Sequence, residues 1–299
     1  MASTSSSSVP FGRVLTAMVT PFAADGELDL DGAQRLAGEL VEAGNSGLVI
    51  NGTTGEAPTT TDAEKAALIR AVREAVGGKA KIVAGVGGYD TAHTVGQAKA
   101  MAELGVDALL AVTPYYNKPP QEGVRRHFTA VADATELPVV LYDIPGRSGI
   151  AIETETMLRL AEHPRIVAVK DAKGDLGASS RVMAETDLAY YSGEDMLNLP
   201  LAAIGSVGCM SVVSHLVSAE LVALYDAYFG GDAVKARDIH RMLLPVYTGV
   251  FRTQGVITIK AALRALGRPA GPVRLPQVDL DEAGLATLRT DLAAAGIAL

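Results

Sequence analysis

Eight short runs of apolar, largely β-branched residues recur along this chain, at 14–20, 47–51, 81–85, 108–113, 138–142, 166–170, 188–192 and 207–212. Each is too short for a typical helix and reads as a buried strand. Longer stretches with helical spacing lie between them, at 31–43, 62–76, 91–104, 121–135, 154–163, 175–185 and 195–204. In the first of these, Ala33, Leu36, Ala37, Leu40 and Val41 share one face. The second opens on Thr61, a good N-cap, and carries Glu64 in its first turn. Gly44, Gly77 and Gly105 stand where helices commonly stop. Eight strands alternating with helices predict a parallel sheet, and that count predicts its closure into a (β/α)8 TIM barrel, an α/β fold. An open doubly wound sheet is the alternative. It would favour a Gly-x-Gly-x-x-Gly turn after the first strand, and Thr20-Pro21-Phe22 is not one. The cluster Gly85-Val86-Gly87-Gly88 has Asp90 in place of the third glycine, and no Gly-x4-Gly-Lys-Ser/Thr loop exists.

After the eighth run the texture changes. Helical spacing continues at 219–229, 232–244, 255–266 and 280–295 with no strand between. The expected organisation is a disordered Ser-rich tail at 1–10, a barrel at 11–224 and a small C-terminal all-helical domain at 225–299, which could brace the barrel or serve as an oligomer surface. Hydrophobic residues are 48% of the 299 and charged residues 20%, enough to build a core of this size. The formal net charge of −8 argues against nucleic acid or anionic membrane surfaces as partners. No apolar run is long enough for a membrane helix, and the serine-rich start lacks the apolar centre of a secretory signal. A single cysteine, Cys209, allows no intramolecular disulfide. A cytoplasmic protein is expected.

In a (β/α)8 barrel the active site lies at the C-terminal strand ends, so the polar residues closing each run are the candidates. Lys170 follows Ile166-Val167-Ala168-Val169. An ammonium brought out of water at such a place has its charged form disfavoured and more nucleophilic free amine available. It could condense with a ketone, and the protonated imine would then serve as an electron sink without metal or organic cofactor. The alternative is a lysine snorkelling from a strand end. Tyr142 closes the preceding run and would stand beside it. A phenol can shuttle protons with help from neighbours, which the hydroxyls of Thr54 and Tyr116 could supply, or both tyrosines could simply be packing residues. Thr53-Thr54, between Gly52 and Gly55, offers hydroxyls and N–H groups suited to a carboxylate, or forms an ordinary glycine turn. Arg147 could clamp a second carboxylate, or make a surface salt bridge. The five histidines lack ligand spacing, so no metal site is expected.

The motifs Gly52-Thr53-Thr54-Gly55-Glu56, Thr113-Pro114-Tyr115-Tyr116, Tyr142-Asp143-Ile144-Pro145-Gly146-Arg147-Ser148-Gly149 and Val169-Lys170-Asp171-Ala172 together carry a resemblance. From about Phe11 to the C-terminus the chain resembles the 4-hydroxy-tetrahydrodipicolinate synthase (dihydrodipicolinate synthase) family of pyruvate-dependent class I aldolase barrels. The resemblance implies that Lys170 forms a Schiff base with pyruvate, with Thr53 and Thr54 by the pyruvate carboxylate. It implies a proton relay of Tyr142, Thr53 or Thr54, and Tyr116, the last reaching across a subunit interface. Arg147 would bind the carboxylate of L-aspartate 4-semialdehyde, and Gly193 and Met210 would line the pocket through backbone atoms. It further implies a homotetramer and a place in diaminopimelate and lysine synthesis. Sugar-acid lyases of the same superfamily share the first motif and the lysine, and the arginine at 147 sets the synthases apart from the sialic acid lyases. A barrel that binds a keto acid without turnover is the reading from another class, and it would have no use for the nucleophile. Two departures stand out. Ala57 replaces a serine frequent in the family, and Asp62 and Lys65 occupy positions that hold histidines in lysine-inhibited relatives. Feedback inhibition by lysine is therefore expected to be weak or absent, because Lys65 would repel a bound lysine.

Overall fold

A computed structural model describes residues 9–299. Eight parallel strands close into a barrel in sequence order, β1 Val14–Ala17, β2 Gly47–Ile50, β3 Lys81–Gly85, β4 Ala108–Val112, β5 Val139–Asp143, β6 Ile166–Asp171, β7 Ala189–Ser192 and β8 Gly208–Ser211. The helices of the shell are α1 Leu30–Glu42, α2 Asp62–Val76, α3 Thr91–Glu103, α4 Gln121–Asp133, the short α5 Pro145–Ser148, α6 Thr154–Ala161, α7 Leu176–Glu185, α8 Asn198–Ile204 and α9 Ser214–Phe229. Three more follow, α10 Ala233–Val250, α11 Gly255–Ala265 and α12 Glu282–Ala293. The (β/α)8 barrel with trailing helices is thus the observed architecture. The disordered tail expected at 1–10 falls largely on residues 1–8, outside the described residues, whereas Val9 packs against the barrel interior.

Strand alternation divides the core in two. Leu15, Val49, Val83, Leu110, Val140 and Ala168 fill the lumen, and Phe11 with Tyr191 plugs its base, the Phe11 N–H donating to the phenol oxygen at 3.2 Å. The opposite faces of the strands pack against the helical shell in one larger cluster, which also takes in Leu243, Val246, Tyr247, Leu263 and Leu292 of the last three helices. The run ending in Lys170 is therefore not all luminal: Ala168 points inward while Val169 packs outward.

Several ends differ from the sequence expectation. The first run was expected to reach residue 20, but β1 stops at Ala17, and Met18 and Val19 turn over the mouth, Val19 N–H donating to Nε2 of His215 at 3.1 Å. A helix end was expected at 244, yet α10 continues through Pro245 to Val250. The proline removes one backbone bond, but Val246, Tyr247 and Val250 beyond it are buried, and that packing offsets the loss. At the 195–204 stretch a 3-10 turn, Asp195–Leu197, precedes α8. The side chain of Asp195 is engaged across the fold: it accepts from Ser211 Oγ at 2.5 Å and from the N–H groups of Val212 and Val213 at 3.0 and 3.1 Å. The expected division at 224/225 lies inside α9.

Candidate active site

The β2–α2 loop is shaped by backbone strain and close packing. Asn51 and Glu56 both take left-handed conformations, with φ of 60° and 56°. Thr20 Oγ1 donates to the Gly55 carbonyl at 2.6 Å. A side chain at Gly85 would collide with the Asn51 carbonyl 2.2 Å away, so the glycine closing β3 is what lets this loop lie down over the barrel rim. The loop presents Thr54, buried, and Thr53, half-buried, to the mouth. Behind it, Glu56 is buried with Oε1 2.6 Å from Nζ of Lys260 on α11, itself wholly buried. Burial pushes the Lys260 ammonium down to about 8 despite the pull of Glu56.

β5 and β6 are paired in register so that Tyr142 lies beside Lys170. Both side chains face the lumen and both are 5% exposed. Nζ of Lys170 stands 4.3 Å from the centre of the Tyr142 ring, a face that attracts a cation. The other wall is Gly193, whose N–H donates to the Asp171 carbonyl at 2.7 Å. A methyl group there would sit 2.9 Å from Cγ of Lys170.

These groups open into a cavity of about 590 Å³ bounded by Thr53, Thr54, Tyr142, Lys170 and Gly193 on the barrel side. Arg147, on α5, bounds its outer part and donates to Oε1 of Gln254 at 2.6 Å. Lys170, Tyr142, Thr53, Thr54, Arg147 and Gly193 therefore meet in one place. Tyr116 does not: it has a left-handed backbone (φ 72°) and is 89% exposed on the β4–α4 loop. Met210 is fully buried in the luminal cluster beneath the cavity. Glu194, one of the polar residues closing the seventh run, also lines the cavity, as do Gln254 and the 276–277 turn, which sequence reasoning passed over. Burial and the neighbouring Asp195 raise the Glu194 carboxyl above its ordinary value. The strand-end rule places Glu194 among the candidates without giving it a role; Gln254 and residues 276–277 come from the far C-terminal chain and carry no local signal.

A second cavity of about 490 Å³ shares Thr53 and Tyr142 and extends past Lys65, Asp62 and His93. Lys65 donates to the Thr60 carbonyl at 2.5 Å, and burial lowers its ammonium from the ordinary lysine value. Asp62 accepts from His93 at 3.0 Å, which holds its carboxyl below the usual range. Among the described residues no three His, Cys, Asp or Glu side chains converge as a metal site.

The fold and site together are a closed parallel barrel with a buried lysine at the C-terminal end of its sixth strand, opening into the mouth cavity. The family model of the dihydrodipicolinate synthetase family matches residues 10–295, and the chain belongs to that family. It is 64% identical over its whole length to 4-hydroxy-tetrahydrodipicolinate synthase 2 of Streptomyces coelicolor, covering 100% of both. It is also 64% identical to the 4-hydroxy-tetrahydrodipicolinate synthase of Acidothermus cellulolyticus, over 96% of this chain and 93% of that one. Among solved structures, DHDPS from Cyanidioschyzon merolae with lysine bound superposes with a TM-score of 0.94 at 43% identity, covering 96% of this chain and 98% of the other. Dihydrodipicolinate synthase from Bacillus anthracis superposes with a TM-score of 0.93 at 40% identity, over 96% and 99%.

Proposed function

We propose that this chain condenses pyruvate with L-aspartate 4-semialdehyde to give 4-hydroxy-tetrahydrodipicolinate, on the route to diaminopimelate and lysine. The observation that carries the reading is the buried Lys170 amine, set against the Tyr142 ring and facing a cavity with Thr53 and Thr54 near and Arg147 opposite. Lys170 attacks the pyruvate ketone, water leaves, and a protonated imine forms. The imine withdraws electrons from the adjacent methyl, which loses a proton to give the enamine. Tyr142 with Thr53 or Thr54 carries protons for these steps, and Tyr116 completes the relay from a neighbouring subunit of a homotetramer. The threonine N–H groups and hydroxyls hold the pyruvate carboxylate. Arg147 holds the carboxylate of the aldehyde, whose carbonyl carbon takes the enamine carbon. The amine of the second substrate then attacks the imine carbon, closes the ring and releases Lys170. Backbone atoms of Gly193 and Met210 complete the pocket floor. No cofactor enters the scheme. No helix among the described residues is long and apolar enough to cross a membrane. In this reading the reaction runs in the cytoplasm.

The chain after residue 225 is read as a brace that supplies Gln254 and Lys260 to the mouth rather than as a separate unit of function. Borohydride reduction with pyruvate should attach a three-carbon label to Lys170, found by mass mapping, and Lys170→Ala should be inactive. A label on another lysine refutes the scheme. Arg147→Ala should weaken use of the semialdehyde far more than pyruvate trapping; equal losses, or turnover with a sugar-acid aldehyde instead, would favour a lyase of the wider superfamily.

A further inference from the structure

The strands that present Tyr142 and Lys170 to the lumen present the next residue of each to the other side. Asp143 and Asp171 face the helical shell, paired in the same register and 2% and 3% exposed. Two carboxylates side by side in a dry layer are costly unless they are hydrogen-bonded and compensated. Asp171 accepts from the Lys173 N–H at 2.8 Å and from the Ser179 hydroxyl. Asp143 accepts from the Ile152 N–H at 3.1 Å, and Nζ of Lys173 stands 3.7 Å from its other oxygen. The same ammonium donates to the Ile152 carbonyl at 3.3 Å. Both backbone groups of Ile152 are thus held by this carboxylate and this lysine. Ile152 closes the segment 144–152 that carries α5 and Arg147. Within the segment Ser148 bonds the Ile144 and Ile150 carbonyls, which ties its two ends together.

We propose that Asp143 and Lys173 form a clamp behind the active site that positions the Arg147 loop, making Asp143 a positioning residue whose charge tunes binding of the second substrate's carboxylate. The proposal rests on the assignment of Arg147 to that carboxylate. Of the pyruvate half of the site, the Thr53–Thr54 loop is held from another side, through Thr20 and Lys260, and makes no contact with the clamp. The groups facing Asp143 are Asp171 on β6, Lys173 beyond it, Ser179 on α7 and Tyr190 on β7. Burial pushes the Asp143 carboxyl up to about 6, against the pull of the Ile152 N–H and Lys173 and with added repulsion from Asp171. It therefore loses its charge, and its hold on Lys173, as the pH falls through about 6. For stability the sign is the reverse. The folded chain keeps this proton where the unfolded chain has released it, so the group's contribution falls as pH rises from 3.8 to about 6. Asp143→Asn, which keeps an oxygen for Ile152 but no charge, should cost no thermal stability at neutral pH.

The test compares wild type, Asp143→Asn and Lys173→Met at about pH 7.5 and about pH 5.5. Borohydride trapping of pyruvate reads the Schiff base; steady-state kinetics read KM for aspartate semialdehyde. Wild-type KM for the semialdehyde should rise roughly threefold to tenfold on acidification. Asp143→Asn should show the raised KM at both pH values, and Lys173→Met should match it at the higher one, with trapping and KM for pyruvate equal among the three proteins at each pH. The clamp is refuted if Asp143→Asn keeps the wild-type KM and its pH slope. It is equally refuted if both substrates' KM values rise together, or if the variant melts well below wild type at neutral pH. Failure of trapping in the wild type would instead overturn the functional reading itself.

Discussion

A methyl group at position 193 would stand 2.9 Å from Cγ and 3.1 Å from Cε of Lys170, and neither carbon can retreat while the Tyr142 ring backs the amine at 4.3 Å. Gly193→Ala should therefore slow borohydride-trapped imine formation roughly tenfold to hundredfold through misplacement of the nucleophile, with a nearly unchanged melting temperature. Normal trapping would show that Lys170 has room the geometry does not indicate. At the second cavity, Lys65 keeps its ammonium on the Thr60 carbonyl and within 4.0 Å of Asp62. Added lysine should inhibit weakly or not at all, and a titration giving strong inhibition at physiological lysine would overturn that expectation. That Lys170, Tyr142, Thr53, Thr54 and Arg147 would meet at the mouth was legible in sequence, because each ends a strand run or lies in the loop that follows one. Their neighbour Gln254 lies 107 positions from Arg147 and meets it only through folding.

At the scale of elements, the β2–α2 loop and α11 are joined by one buried ion pair, Glu56 with Lys260. The ammonium also stacks 4.1 Å from the Phe22 ring and donates to the Pro272 carbonyl at 2.8 Å. Arg274 flanks the other partner, its N–H donating to Glu56 at 2.8 Å and its guanidinium reaching Glu64 at 2.5 Å, which holds the Glu64 carboxyl down at about 2. Lys260→Met leaves a buried carboxylate uncompensated and should cost roughly 3–5 kcal/mol. Adding Glu56→Gln should recover much of that loss. Urea unfolding of the single and double variants measures the coupling, and additive losses would show that the pair contributes nothing as a pair. The helix α2 was placed to the residue from sequence because its end signals are local: Thr61 and Glu64 form a reciprocal cap, and Gly77 stops it in a left-handed conformation. The reach of α10 past Pro245 was not, because long-range burial overrode a local stop signal.

At the scale of the whole molecule, two buried histidines contribute to the response to acid. Burial pushes both His127 and His215 down to about 4, so the unfolded chain takes up protons that the folded one refuses between 6.5 and about 4. Stability is lost as pH falls through that window, opposite in sign to the contribution of Asp143. The melting temperature should drop between about pH 7 and about pH 5, and His127→Phe should shrink that drop; an undiminished drop would place the effect elsewhere. Assembly has its own test. If Tyr116 serves a neighbour's site, inactive Lys170→Ala and impaired Tyr116→Phe chains, mixed and reassembled, should regain about a quarter of the wild-type rate, since half the pairs would hold one complete site. No regain would confine Tyr116 to its own subunit's surface. The strand count, the order of elements and the amine at the mouth were all written in the chain, because alternation, capping and strand-end chemistry act over a few residues. Only the closed structure decided that Asp143 and Asp171 stand behind Tyr142 and Lys170, that Gln254 meets Arg147 and that Lys260 seals the threonine loop. Those contacts join segments as far apart in the chain as Glu56 and Lys260, and nothing in local sequence records which buried charge will find which partner.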